Sequence, residues 1–166
     1  SLGCGIGKNF DISKLRYEKI ILMTDADVDG SHIATLLITF FYKYMKKIID
    51  ESRLYLAMPP LFKIYDKSKS FYSFDEKEKD EIIKREFKSD KYNITRFKGL
   101  GEMPAQQLRE TTMDQNKRNL ISINIEKAKN DIKNTEKLFE TLMGKQADLR
   151  FQFIQKNANF IKNLDI

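Results

Sequence analysis

The sequence predicts an α/β unit, a parallel sheet with flanking helices, followed by an α+β region. Three observations carry that prediction. YEKIILMT holds a short β-branched apolar run, Ile20 to Met23, of the kind a buried strand uses. After DADVDG, residues His32 to Ile49 read as one mostly buried helix, with Ile33, Leu37, Phe40, Tyr44 and Ile48 on helical spacing. RLYLAM then reads as a strand, ended by Pro59 and Pro60. Strand, helix and strand in that order imply parallel pairing through a right-handed crossover.

The other elements follow along the chain. LGCGIG is a glycine turn. It is not GxGxxG, no strand precedes it, and a phosphate loop ending at Lys8 would need glycine where Leu2 stands. LFKIY and SFYSF alternate as a hairpin around KSKS. Asp75 is placed to cap a short charged helix reaching about Phe87. NITRF is a strand and KGLGEM a glycine turn. Pro104 suits the first turn of a helix through QQLRE. LISINI is a strand, Ile125 to Met143 an amphipathic helix stopped by Gly144, and LRFQFIQKNANFIK a last helix.

The 166 residues suit one domain or two small ones, and 41% apolar content is enough for a core. A net charge of +6 fits either an ordinary solvated surface or a polyanionic partner such as nucleic acid. One cysteine, Cys4, and one histidine, His32, exclude a disulfide framework and a Cys/His zinc cluster, and fit a reducing, cytoplasmic compartment. The longest apolar run, Ile33 to Tyr42, is far short of the roughly 20 residues of a membrane span, and no signal-peptide pattern is present. The chain enters SLGCGIG directly at Ser1, which reads as a piece cut from a longer protein or a start with its methionine removed.

MTDADVDGSHI carries the chemistry. Functional groups gather at the carboxyl ends of parallel strands, and Asp25 stands there. Asp25 and Asp27 are two apart, so an extended turn lets both side chains converge on one cation. Crowded carboxylates repel, and a bound Mg²⁺ removes that cost. This hard ion takes one or two carboxylates plus phosphate and water. Asp29, before Gly30, is a third candidate ligand, with a helix N-cap as its simpler role. A calcium loop of the D-x-D-x-D-G type needs a glutamate at its twelfth position, where Leu36 stands, and a helix before it, where a strand is predicted. An aspartate-nucleophile phosphatase would need further carboxylate and lysine partners that the sequence does not locate.

LRYEKIILMTDADVDGSHI, then YLAMPPLFKI, then RFKGLGEMPAQQLRETTMD, in that order, resemble the carboxyl-terminal part of the B subunit of bacterial type IIA topoisomerases. The resemblance runs from Ser1 to about Ile125. It implies the C-terminal part of a TOPRIM domain over residues 1–52 and the gyrase-B-type C-terminal region over 53–166. The ending LMGKQADLRFQFIQKNANFIKNLDI is more similar to the B subunit of topoisomerase IV than to gyrase B. The family breaks a DNA duplex, passes a second duplex through, and reseals it, as in chromosome segregation. The resemblance implies a nucleophilic tyrosine on a partner A-type subunit, Mg²⁺ held by Asp25 and Asp27 with Asp25 shared between two ions, and dimerisation through regions outside this chain. The family's EGDSAGG-like strand, with its glutamate, and its ATP-binding region do not occur here. The expectation is therefore a metal site short of one carboxylate, no ATP site, and no cleavage by this chain alone.

Basic residues extend the expectation to double-stranded DNA. His32 stands near the start of the long helix, where phosphate is favoured, although a lone histidine is commonly structural. Lys98 sits in a glycine turn that lets backbone approach a ligand, with Arg96 beside it. Six basic residues against two acidic ones run from Lys84 to Lys98, and Arg150 heads the interleaved LRFQFIQ. Glu102 and Glu110 are expected to be structural rather than to replace the missing carboxylate. Two other classes stay open: a different TOPRIM enzyme such as a primase or nuclease, against which PPLFKI and RFKGLGEM argue, and a non-catalytic DNA-binding or docking module.

Overall fold

A computed structural model describes residues 1–88, 91–125 and 129–160. Its strands are β1 (Ile20–Leu22), β2 (Leu54–Met58), β3 (Phe62–Tyr65), β4 (Ser70–Ser73), β5 (Asn93–Arg96) and β6 (Asn119–Ser122). Its helices are α1 (Val28–Tyr44), α2 (Lys46–Asp50), α3 (Glu76–Glu86), α4 (Ala105–Leu108), α5 (Lys129–Met143) and α6 (Ala147–Asn157). The strands form two sheets, ordered β1-β2-β6 and β4-β3-β5. The first is partly parallel, and in it β2 and β6 run antiparallel with Leu56 opposite Ile121. The second is antiparallel throughout, with Ile64 opposite both Phe71 and Ile94. The mixed α/β class follows the hydrophobic pattern. No helix among the described residues is long and apolar enough to cross a membrane.

The chain divides into two compact units, Ser1–Ile20 with Thr35–Leu54 and Ile123–Ile166, and Ile21–Ala34 with Tyr55–Ser122. The first buries Cys4, Phe41, Met45, Ile48, Ile49 and Leu54. Its amino-terminal turn has positive φ at Gly3, Gly5 and Gly7, as the LGCGIG pattern predicts. Tyr42 stacks on Phe139 with ring centroids 4.3 Å apart, and burial pushes the Tyr42 hydroxyl pKa above its ordinary value, helped by Glu136 and Asp50. Helix α5 stops at Gly144 as predicted. The Gly144 N–H donates to the Glu140 carbonyl at 3.0 Å, and a Cβ at Gly144 would lie 2.2 Å from that oxygen. The expected start of α5 at Ile125 and the expected end of α6 fall partly on residues 126–128 and 161–162, outside the described residues.

The second unit has its core under sheet β4-β3-β5. Phe62, Ile64, Ile82 and Phe87 are buried together, with Leu61, Phe71, Ile83 and Tyr92 packed against them. Strand alternation turns Phe62 and Ile64 inward, and α3 supplies Ile82 from its one buried position. The predicted cap of α3 is present: the Asp75 carboxylate accepts from the Glu78 N–H at 2.7 Å, and Glu78 Oε2 accepts from the Phe74 N–H at 2.7 Å. Pro104 occupies the N-cap of α4, one place before the first turn. The helix then widens into a π-helical turn over Arg109–Met113. There the Thr111 hydroxyl donates back to the Gln107 carbonyl at 2.8 Å.

The helix predicted over His32 to Ile49 differs in three ways. It starts earlier, at Val28. It breaks at Met45 (φ −145°, ψ 40°), with α2 following. It is also less buried than expected, with Ile33, Leu36, Leu37, Phe40 and Tyr44 all exposed. Ile48 is buried as expected, but before it the buried residues are Ala34, Phe41 and Met45, one position round from the expected Ile33, Phe40 and Tyr44. Nearly every residue from Ile33 to Tyr42 is apolar, so spacing shows that a helix forms but does not choose which face is covered.

Candidate functional site

Three aspartates and a glycine shape the turn after β1. Asp27 is the residue that caps α1: its Oδ1 accepts from the Gly30 N–H at 2.7 Å, and its carbonyl accepts from the Ser31 N–H at 3.0 Å. The N-cap expected of Asp29 therefore belongs to Asp27. Asp29 stands in the first turn of the helix, where a negative charge favours the helix dipole. Gly30 is needed because the turn folds back onto the helix start. A Cβ there would lie 2.0 Å from the Asp25 carbonyl oxygen and 2.9 Å from its nitrogen, both backbone atoms.

Asp25 is held from a distant stretch. Its Oδ1 accepts from the Leu100 N–H at 2.7 Å, across 75 residues of sequence. Gly99 permits the approach, since a Cβ there would lie 3.0 Å from Asp25 Cγ and 3.1 Å from both oxygens. The 97–103 loop that presents this N–H is anchored at its ends by buried Phe97 and Met103. The Phe97 N–H also donates to the Leu61 carbonyl at 2.8 Å. Within the loop, Glu102 Oε2 accepts from the Lys98 N–H at 2.8 Å, and the Glu102 N–H donates to the Gly99 carbonyl at 3.1 Å.

Asp25, Asp27, Lys98, Gly99, Gly101 and Glu102 line one open cavity of about 290 Å³. Asp25 and Asp27 are both exposed, and the hydrogen bonds described to their carboxylates each use Oδ1. Among the described residues no three His, Cys, Asp or Glu side chains form a metal-holding group. The cavity offers Asp25, Asp27 and open space, with a third carboxylate, Glu102, turned to the Lys98 N–H. That fits Mg²⁺, which takes much of its shell from water and phosphate, and it fits Zn²⁺ or Ca²⁺ poorly because both want more protein ligands.

The other predicted site residues are more scattered. His32 is exposed in α1 and is not among the residues lining the cavity. Arg96 is exposed on β5, with its guanidinium carbon 5.8 Å from the centre of the Phe62 ring. Arg150 lies in the first unit, where its Nη1 donates to the Gly144 carbonyl at 2.6 Å and so satisfies the end of α5. Glu110 Oε1 accepts from Gln106 Nε2 at 2.9 Å along its own helix. Sequence reasoning misses the link from Leu100 and Gly99 to Asp25. The only signal is the glycine turn itself, which reads as room for a ligand when its backbone in fact approaches Asp25.

Residues 4–59 match the Toprim domain, and residues 89–155 match the DNA gyrase B subunit, carboxyl terminus. The DNA gyrase B subunit of Clostridium acetobutylicum is 48% identical over 100% of this chain and 26% of its own length. The DNA gyrase B subunit of Halalkalibacterium halodurans is 47% identical over 100% of the chain and 25% of its length. The DNA topoisomerase 4 B subunit of Caulobacter vibrioides is 50% identical over 96% of the chain and 23% of its length. The chain thus spans about a quarter of the length of the curated relatives it matches, and identity does not separate the gyrase from the topoisomerase IV relatives. The chain is thus similar, in order, to the Toprim domain over residues 4–59 and to the carboxyl terminus of the DNA gyrase B subunit over residues 89–155.

Proposed function

We propose that this chain is the metal-carrying part of the B subunit of a type IIA DNA topoisomerase. The observation that carries the reading is the pairing of Asp25 and Asp27, inside the Toprim match, in one open cavity with Lys98, inside the gyrase-B match that follows. Asp25 and Asp27 would hold Mg²⁺, with Asp29 the weakest of the three candidates because it lies within the helix and not among the cavity residues. When bound, the ion supplies charge stabilisation to a phosphate and its leaving oxygen. The chain's own residues fix the two carboxylates through backbone N–H groups and leave one side of the cavity open to solvent and to a duplex. Lys98 adds a positive charge at the rim. His32, Arg96 and Arg150 are further DNA contacts in the proposal, Arg150 the least free of them because it caps α5.

The nucleophilic tyrosine belongs to a partner A-type subunit in this reading, and ATP is used by a region outside the chain. Residues 1–52 would complete a TOPRIM domain and 53–166 form the gyrase-B-type region, with self-dimerisation through other parts of the full-length polypeptide. The ending LMGKQADLRFQFIQKNANFIKNLDI favours topoisomerase IV over gyrase. A cytoplasmic, nucleoid-associated location belongs to the same proposal.

The test is Asp25→Asn and Asp27→Asn in the full-length protein, reconstituted with its A-type partner on supercoiled plasmid. Losing several kcal/mol of charge stabilisation predicts a fall of about a hundredfold or more in Mg²⁺-dependent cleavage. Cleavage at wild-type rate and wild-type Mg²⁺ dependence would overturn the proposal.

A further inference from the structure

We infer that Glu102 is a positioning residue for Asp25, and that the 97–103 loop is a clamp that aims the Asp25 carboxylate at its cation. The inference rests on the metal reading above. Phe97 and Met103 are buried, but Lys98, Gly101 and Glu102 between them are exposed and Gly99 and Leu100 are half-buried. Packing therefore fixes the ends of the loop and not its middle. Two glycines in that middle leave the backbone free to turn. Glu102 ties it down on both sides of Gly99: its carboxylate accepts from the Lys98 N–H and its own N–H donates to the Gly99 carbonyl. With that peptide held, the Leu100 N–H points at Asp25 Oδ1 at 2.7 Å. One Asp25 oxygen is thereby occupied and oriented, and the other is left for the cavity.

Glu102 lines the same cavity, so it has an alternative role as a ligand in its own right. The two roles separate chemically. Glu102→Gln keeps the acceptor for the Lys98 N–H and loses the charge, whereas Glu102→Ala loses both. Gly99→Ala perturbs Asp25 directly without touching Glu102, because its Cβ would press on the carboxylate at 3.0 Å. Outer-shell partners of metal ligands typically change metal affinity by about tenfold to a hundredfold when removed.

The experiment uses the full-length protein that contains this chain, with Mn²⁺ as the probe read by electron paramagnetic resonance, and the selectively labelled Leu100 amide read by NMR. Circular dichroism checks that each variant is folded. Glu102→Ala and Gly99→Ala are expected to weaken Mn²⁺ by about tenfold or more. Glu102→Gln is expected to stay near wild type, and Glu102→Ala to move the Leu100 amide resonance in the same direction as Asp25→Ala. If Glu102→Gln loses as much as Glu102→Ala, the charge acts directly and positioning is refuted. If Asp25→Asn weakens Mn²⁺ while Glu102→Ala and Gly99→Ala bind as wild type, the clamp fails and the metal reading stands. If wild type and Asp25→Asn take up Mn²⁺ equally, or neither does, the metal reading itself fails.

Discussion

Gly30→Ala is the sharpest probe of the DADVDG turn. The added Cβ would sit 2.0 Å from the Asp25 carbonyl oxygen, 2.7 Å from its carbonyl carbon and 2.9 Å from its nitrogen. All three are backbone atoms, so no side-chain rotation relieves the clash and the turn itself must move. Overpacking of this kind costs about 3 kcal/mol at the upper end of its usual range. Alanine in place of glycine in a helix returns about 1 kcal/mol. The expected net loss is about 2 kcal/mol, measured by urea unfolding followed by circular dichroism, since the chain has no tryptophan. Gly101→Ala is the matched control. Nothing lies within 4 Å of its Cβ position, so it should be neutral, or stabilising by about 0.5 kcal/mol through the unfolded chain. A Gly30→Ala variant as stable as wild type would refute the packing of the Asp25 main chain on the first turn of α1. The DADVDG glycine would then need another reason.

Other consequences follow from single contacts. Ile64 is fully buried in the β4-β3-β5 core, so Ile64→Ala should cost about 2–5 kcal/mol in the same unfolding assay. Lys98→Ala should lower the slope of log affinity against log salt for duplex DNA by about 0.9 if Lys98 neutralises one phosphate, and an unchanged slope would remove it from the interface. The Asp66 carboxyl is held below its ordinary value of 3.8, first by the Ser68 N–H, then by the Ser68 hydroxyl and by Lys69. Its folded-state pKa is depressed, so its contribution to the β3–β4 turn is complete above the unfolded value and is lost as pH falls from there through the folded one. Asp66→Asn should flatten that acid limb of the stability curve.

How far the sequence carries depends on the reach of each interaction. The α3 cap joins Asp75 to Glu78 and is legible, because the donor and acceptor lie three residues apart. The β3–β4 hairpin and the Gly144 stop are legible for the same reason. The start of α1 is easily misread because DADVDG offers two aspartates with cap chemistry. The choice falls to Asp27, whose carboxylate reaches the Gly30 N–H. The buried face of α1 is not legible, since a run apolar at nearly every position, Ile33 to Tyr42, carries little phase. The site divides along the same line. That Asp25 and Asp27 share a cavity follows from their spacing, but the orientation of Asp25 does not, because it depends on an amide 75 positions away. KGLGEM reads locally as a flexible turn open to a ligand. Its glycine instead makes room for the Asp25 carboxylate, and its glutamate restrains the flexibility that the glycines bring. A carboxylate pair after a strand is thus a sufficient signal for where a cation would sit. How firmly it is held is decided by residues that only the folded chain brings near.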